Sequence, residues 1–241
     1  MDRHAIGNTL PQTTRMRAPT FLLFVFQGLL ATAQSDDWQG NLGGGLGISI
    51  PTGEFEQTLG KNMFLIDAHL AFPLGRIPVV QGGFAFGYSR MGQNERTVPI
   101  TTDYAGVTEG TLTTNSKVFS YHPLLRLSPL QGRIRPYVDG MAGFRQFSTT
   151  SRVTAEGAEE NISKERNETD IAFSTGWAAG VMFALGDHAY VEARVERFDS
   201  GEATYVDPES VTVSDQGAVG FSTFTSNTDV TNVVVGIGVC F

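Results

Sequence analysis

Asn232-Val233-Val234-Val235-Gly236-Ile237-Gly238-Val239-Cys240-Phe241 is the stretch whose reading decides the fold. Counted back from Phe241, the odd positions Val239, Ile237, Val235 and Val233 are large and apolar. The even positions Cys240, Gly238, Gly236 and Asn232 are small or polar, and Val234 alone departs from the pattern. Alternation with period two belongs to a strand whose two faces meet different surroundings. The last residues of a soluble domain usually fray into water, so a strand running into a terminal phenylalanine predicts a use for that residue.

The same alternation recurs back through the chain. Leu42, Leu46, Ile48 and Ile50, headed by Trp38, share one face, with Asn41, Gly43, Gly45, Gly47 and Ser49 on the other, before Pro51-Thr52-Gly53 ends the run. Phe64, Ile66, Leu70 and Phe72 oppose Asp67 and His69, and Phe84, Phe86 and Tyr88 oppose Ala85, Gly87 and Ser89. A fourth run sets Phe119, Tyr121, Leu125 and Leu127 against Ser120, His122 and Arg126, although Pro123 inside it removes a ladder hydrogen bond. The fifth sets Val138, Ala142 and Phe144 against Asp139, Gly143 and Arg145. The sixth is the clearest, from Ile171 to Phe183, and the seventh sets Val191, Ala193 and Val195 against Glu192, Arg194 and Glu196. With the terminal stretch, the count is eight.

Between these runs, short returns near residues 75, 131 and 186 alternate with longer connections near 55, 103, 158 and 213. The polar segments Gly92 to Asn115, Thr150 to Asn167 and Asp199 to Asn227 show no sustained period and read as long loops. Asn161-Ile162-Ser163 and Asn167-Glu168-Thr169 match a glycosylation pattern that carries no meaning in a bacterial protein.

Alternating strands suit a soluble barrel with an apolar inside or a membrane barrel with an apolar outside. The polar faces choose between them. They are rich in Gly and Ala, and Asp67, His69, Arg126, Asp139, Arg145, Glu192, Arg194 and Glu196 lie within strands rather than at their ends. Pairing the sixth and seventh strands through Gly186-Asp187 sets Glu192, Arg194 and Glu196 opposite Gly180, Ala178 and Gly176. Long charges facing small residues suit a narrow interior in which each charge reaches across for a partner. The apolar faces carry aromatics near strand ends, as an aromatic girdle requires.

With these strands, the charged interior and the terminal Val239-Cys240-Phe241, the chain resembles the small eight-stranded outer-membrane barrels of the OmpA-transmembrane and OmpX type, often labelled the porin family. The resemblance covers residues 36–241 and rests on architecture rather than on a diagnostic motif. It implies an all-β, eight-stranded, antiparallel up-and-down transmembrane barrel in the outer membrane of a Gram-negative bacterium. It also implies contact with outer-membrane lipid and lipopolysaccharide, and a terminal strand, with Val239 and Phe241, read by the barrel assembly machinery. An extracellular loop partner is a further expectation.

The start of the chain agrees with export. Met16-Arg17, the apolar Phe21-Leu22-Leu23-Phe24-Val25-Phe26 with Leu29-Leu30, and Ala31-Thr32-Ala33 form a charged start, a short apolar core and a small-x-small cleavage site, the plan of a secretory signal peptide. Residues 1–33 are expected to be removed and residues 34–241 to form the barrel domain, with Met1 or Met16 as the start. Formal charge is −8, so a basic nucleic-acid binder is excluded. Cys240 is the single cysteine, which excludes an internal disulfide and a cysteine-rich metal site.

The interior charges read most simply as a salt-bridged filling, since an eight-stranded barrel is just wide enough for side chains and a buried charge must be paired. Three other chemistries compete. Ser120 and His122, two apart on one face, are the candidate pair for a lipid-modifying acyltransferase or deacylase. Asp67 and His69 lack a third metal ligand in sequence. Gly43-Gly44-Gly45-Leu46-Gly47 lacks the Lys-Ser/Thr of a phosphate loop. The expectation is a non-enzymatic barrel without cofactor or metal, in a structural, adhesive or weakly conducting role. The alternatives are a lipid-modifying enzyme of the same architecture and a soluble periplasmic lipocalin-like binding barrel.

Overall fold

A computed structural model of the protein describes residues 40–75, 77–102, 106–130, 132–155, 161–206, 210–213 and 219–241. The signal-peptide segment and Trp38 lie outside the described residues. Eight antiparallel strands close into a barrel: β1 (Asn41–Pro51), β2 (Met63–Leu74), β3 (Ile77–Thr102), β4 (Gly106–Leu127), β5 (Ile134–Ala155), β6 (Asn161–Ala184), β7 (Ala189–Ser200) and β12 (Val230–Cys240). Their order around its wall is β1, β12, β7, β6, β5, β4, β3, β2. A helix α1 (Glu54–Leu59) and four short strands, β8 (Glu202–Val206), β9 (Thr212–Val213), β10 (Val219–Gly220) and β11 (Thr223–Asn227), lie in the connections.

Closure runs through the terminal stretch. Strand β12 pairs with β1 from Asn41↔Cys240 to Pro51↔Val230 and with β7 from Val230↔Phe198 to Val239↔Ala189. Gly40 and Phe241 exchange backbone hydrogen bonds of 2.7 and 3.1 Å, and Phe241 meets Phe72 edge-on with ring centroids 5.7 Å apart. Both bonding edges of the strand are therefore used, which leaves no open edge in the wall. Val234, the exception to the alternation, points inward opposite Gly47, and a side chain at Gly45 would strike its Cγ1. The glycine run of β1 is what makes room for it.

In two of the three expected long loops the described residues are strand instead. Pairing of β3 with β4 continues to Thr102↔Gly106, of β4 with β5 to Gly110↔Ala155, and of β5 with β6 to Thr154↔Asn161. The Thr-rich segments suit strands because β-branched side chains fit a pleated surface. The absence of an apolar period does not prevent this, because the ladder is made by backbone groups. The third segment contains the ribbon in which β8 pairs with β11, with Tyr205 opposite Phe224.

Two local corrections follow from the ladders. The sixth and seventh strands pair two residues out of the expected register, as Met182↔Glu192, Gly180↔Arg194 and Ala178↔Glu196. The connection is longer than a two-residue turn: the ladder ends at Ala184↔Tyr190, and the Leu185 amide donates to the Ala189 carbonyl at 2.8 Å. Pro123 stays within β4, in register with Phe84 of β3. On its other side the β4–β5 pairing skips from Tyr121↔Phe144 to Leu124↔Met141, the gap expected where an amide is missing. Gly143 sits in that gap, where any side chain would collide with the Tyr121 carbonyl.

Candidate functional site

The parity of each strand sends apolar groups out and polar groups in. Leu46, Val235 and Ile237 are 59, 67 and 70 % exposed, whereas Arg126 and Asp139 are 0 % exposed. Many outward aromatics lie toward the strand ends, Phe64, Tyr88, Phe119, Tyr121, Phe144 and Phe173 toward the upper end and Phe72, Phe183 and Phe241 toward the lower, with Phe84 and Trp177 between them. Along β2, Phe64 and Phe72 are separated by about 26 Å of strand, or about 20 Å along the barrel axis at a tilt near 40°. Such a band approaches the height of a bilayer's apolar layer.

Inside, Asp139 is the centre of the lower charge cluster. It accepts from Arg126 Nε at 2.8 Å, Arg126 Nη2 at 3.0 Å and Arg194 Nη1 at 2.5 Å. Arg194 Nε donates to Glu196 Oε1 at 2.6 Å, and the other Glu196 oxygen accepts from Asn232 Nδ2 at 2.8 Å. Arg126 Nη1 donates to Asn41 Oδ1 at 2.9 Å, and Asn41 Nδ2 donates to Gln81 Oε1 at 3.0 Å. Tyr137 lies beneath both guanidinium groups, 3.9 Å from Arg126 and 5.7 Å from Arg194 at its ring centroid, and its hydroxyl donates to Glu192 Oε1 at 2.7 Å. His69 joins from β2, with Nε2 3.3 Å from Glu192 Oε2 and Nδ1 3.8 Å from Asp67 Oδ1.

Of the eight charged or titratable positions singled out in sequence, seven therefore meet in one cluster, with Arg145 apart. Arg145 stands a level higher, where Nη1 donates to the Thr228 carbonyl and lies 3.5 Å from Ser200 Oγ. It forms no ion pair with a described carboxylate, and its buried Nε has no hydrogen-bond partner. Asn41, Gln81, Tyr137, Tyr190 and Asn232 complete the interior and were not singled out. Strand parity was the available signal, since Tyr137 alternates with Asp139 and Tyr190 with Glu192. Their rings fill the space left by glycines, Tyr137 over Gly180 and Tyr190 over Gly43 and Gly238.

The candidate pair Ser120 and His122 is not brought together. His122 Nε2 lies 2.5 Å from Ser174 Oγ, two strands along the wall on β6, and its ring stacks on Phe198 with centroids 4.5 Å apart. His122 and Ser174 are both sealed from solvent. A nucleophile with its base needs an approach for substrate. No group of three or more metal-binding side chains occurs among the described residues.

The upper mouth is closed by connecting segments that carry no sustained period. Phe55 of α1 is fully buried, edge-on to Tyr205 of β8 at 5.5 Å and to Phe147 of β5 at 6.3 Å. Tyr205 shares a 3.0 Å hydrogen bond with Ser226, and burial raises the pKa of its hydroxyl above the ordinary value. Asp170 Oδ2 accepts from the Thr204 amide at 2.7 Å and Glu54 Oε2 from the Asn227 amide at 3.2 Å, tying the ribbon to the barrel rim and the helix to the ribbon.

No protein-family model and no curated protein matches the chain. Among solved structures, the chain is similar to the attachment invasion locus protein Ail of Yersinia pestis, at 13% identity over 84% of this chain and 97% of that one, with a TM-score of 0.44. Neisserial surface protein A matches at 13% identity over 84% and 97%, with a TM-score of 0.42. The N-terminal β-barrel domain of Pseudomonas aeruginosa OprF matches at 14% identity over 84% and 98%, with a TM-score of 0.34. These are small outer-membrane barrels. Identities and scores this low carry nothing about ligand or role.

Proposed function

We propose that this protein spans the outer membrane of a Gram-negative bacterium as a non-enzymatic barrel filled by its own side chains. Its role is structural or adhesive, exercised through the hairpins and the capping ribbon above the bilayer. The observation that carries this reading is the inversion of polarity: leucine, valine, isoleucine and phenylalanine cover the outside while seven charged or titratable groups cluster inside. In water, the belt would expose far more contiguous apolar surface than a soluble protein tolerates. In a bilayer the same surface is satisfied, and every strand finds both its partners within the closed wall.

The cap of Phe55, Phe147 and Tyr205 and the packed charges below it oppose a conducting role. The sealed His122–Ser174 pair and the separation of Ser120 from it oppose a lipid-modifying one. Outer-membrane lipid, lipopolysaccharide and the barrel assembly machinery are the partners this reading implies, the last through β12 with Val239 and Phe241. Heat-modifiable migration of the detergent-extracted membrane fraction tests it, comparing wild type with a chain lacking Phe241. A folded band that shifts on boiling, and weakens in the truncation, is the expected result. Release in soluble form without detergent would overturn the proposal and favour a periplasmic binding barrel.

A further inference from the structure

Just above the upper aromatics, on the outer face, β3, β4 and β5 curve into a groove of about 790 Å³. Tyr88, Phe119 and Tyr121 form its lower end, and Arg90, Lys117 and Arg152 stand above them, with no acidic side chain in its lining. Arg90 and Lys117 are directly opposite each other in the β3–β4 ladder. Like charges so placed destabilise a sheet unless something answers them. Nothing in the described protein does: Arg90 Nη2 donates to the neutral Asn115 Oδ1 at 3.3 Å, Lys117 Nζ lies 5.4 Å from the Phe119 ring centroid, and none of the three cations pairs with a described carboxylate.

Arg152 lies four residues along β5 from Ser148, the partner of Lys117, which is about 13 Å of strand. A chain of formal charge −8 thus sets Arg90, Lys117 and Arg152 on one outward sheet, directly above its apolar belt. Tyr88 packs on Phe119 at 5.3 Å and Tyr121 on Phe86 at 5.5 Å, so the lower end of the groove is continuous with that belt.

We infer that this groove holds the headgroup of a phosphorylated lipid in the leaflet beside it. One phosphate sits between Arg90 and Lys117 and another reaches Arg152, while the acyl chains run down over Tyr88, Phe119 and Tyr121. Charge complementarity selects the anion, and the level selects the lipid, because aromatics mark the boundary at which headgroups begin. A soluble anion would have no use for the aromatic end. The inference rests on the bilayer-spanning reading given above.

The test uses the mature chain refolded into nanodiscs of phosphatidylcholine alone, or with graded fractions of a bisphosphorylated glycolipid or its dephosphorylated counterpart. The readout is the temperature at which the folded gel band is lost. The phosphorylated lipid is expected to raise that temperature and the dephosphorylated one to leave it unchanged. Arg90→Gln, Lys117→Gln and Arg152→Gln should each raise the half-saturating lipid fraction roughly five-fold, and the triple variant roughly a hundred-fold. Arg133→Gln, at the opposite end of the barrel, should change nothing. Lys117→Gln alone keeps the test decisive if the triple variant does not fold. Equal stabilisation by both lipids, or undiminished stabilisation of the folded variants, would overturn the inference. So would equal protection by inorganic phosphate or a soluble sulfated polysaccharide, which would give the groove to a dissolved anion. Failure to form a folded band in phosphatidylcholine alone would overturn the spanning reading as well.

Discussion

Replacing Asp139 by alanine removes the acceptor on which two buried arginines converge. Three hydrogen bonds disappear, two from Arg126 and one from Arg194. Arg194 keeps Glu196 at 2.6 Å, whereas Arg126 keeps only the neutral Asn41 at 2.9 Å and the face of Tyr137. The loss therefore falls mainly on Arg126, and stranding one member of a buried pair costs about 3–5 kcal/mol. Asp139→Asn, which keeps one acceptor oxygen, should lose roughly half as much. The double variant Arg126→Met/Asp139→Leu should recover most of the stability, since removing both members of a buried pair is often close to neutral. Urea unfolding of protein refolded in phosphatidylcholine vesicles, followed by Trp177 fluorescence and by the folded gel band, measures all three. A loss under about 1 kcal/mol in Asp139→Ala, or a double variant no more stable than the single, would refute the account of the interior as a mutually dependent cluster.

Gly180→Leu drives a side chain into the Tyr137 ring, whose hydroxyl holds Glu192 at 2.7 Å, and should cost about 1–3 kcal/mol in the same unfolding assay. Gly140→Ala, with open space around it, should stay within about 0.5 kcal/mol. Phe55→Ala removes the edge contacts to Phe147 and Tyr205, so limited proteolysis should cut residues 210–227 faster while the heat-modifiable band persists. Because burial raises the Tyr205 pKa, the folded cap favours the neutral phenol; that contribution is fully present below about pH 10 and is lost as pH rises through the higher folded value. Proteolytic nicking of the cap should therefore accelerate above about pH 10 in wild type and stay flat in Tyr205→Phe.

Strand number, antiparallel order and the inward or outward sense of nearly every belt residue were legible in the sequence. An apolar exterior and a packed polar interior impose opposite demands on alternate positions, and that contrast is written with period two. The inward placement of Asp67, Arg126, Asp139 and Glu192 followed from the same parity. Gly92 to Asn115 and Thr150 to Asn167 carry no such contrast and so no period, although backbone pairing reaches Thr102↔Gly106 in the one and Thr154↔Asn161 in the other.

What only the tertiary structure decided is which partners meet across the barrel. Residue spacing along one strand says nothing of register between two, so the two-residue offset of β7 against β6 was invisible until the Leu185-to-Ala189 connection was seen. His122 finding Ser174 rather than Ser120, and Arg145 standing apart from the carboxylates, are contacts between residues far apart in the chain. The cap of Phe55 on Phe147 and Tyr205 and the groove of Arg90, Lys117 and Arg152 have the same origin. Alternation along a strand is a local property recorded in the sequence; closure of the wall and bending of the sheet set these distances.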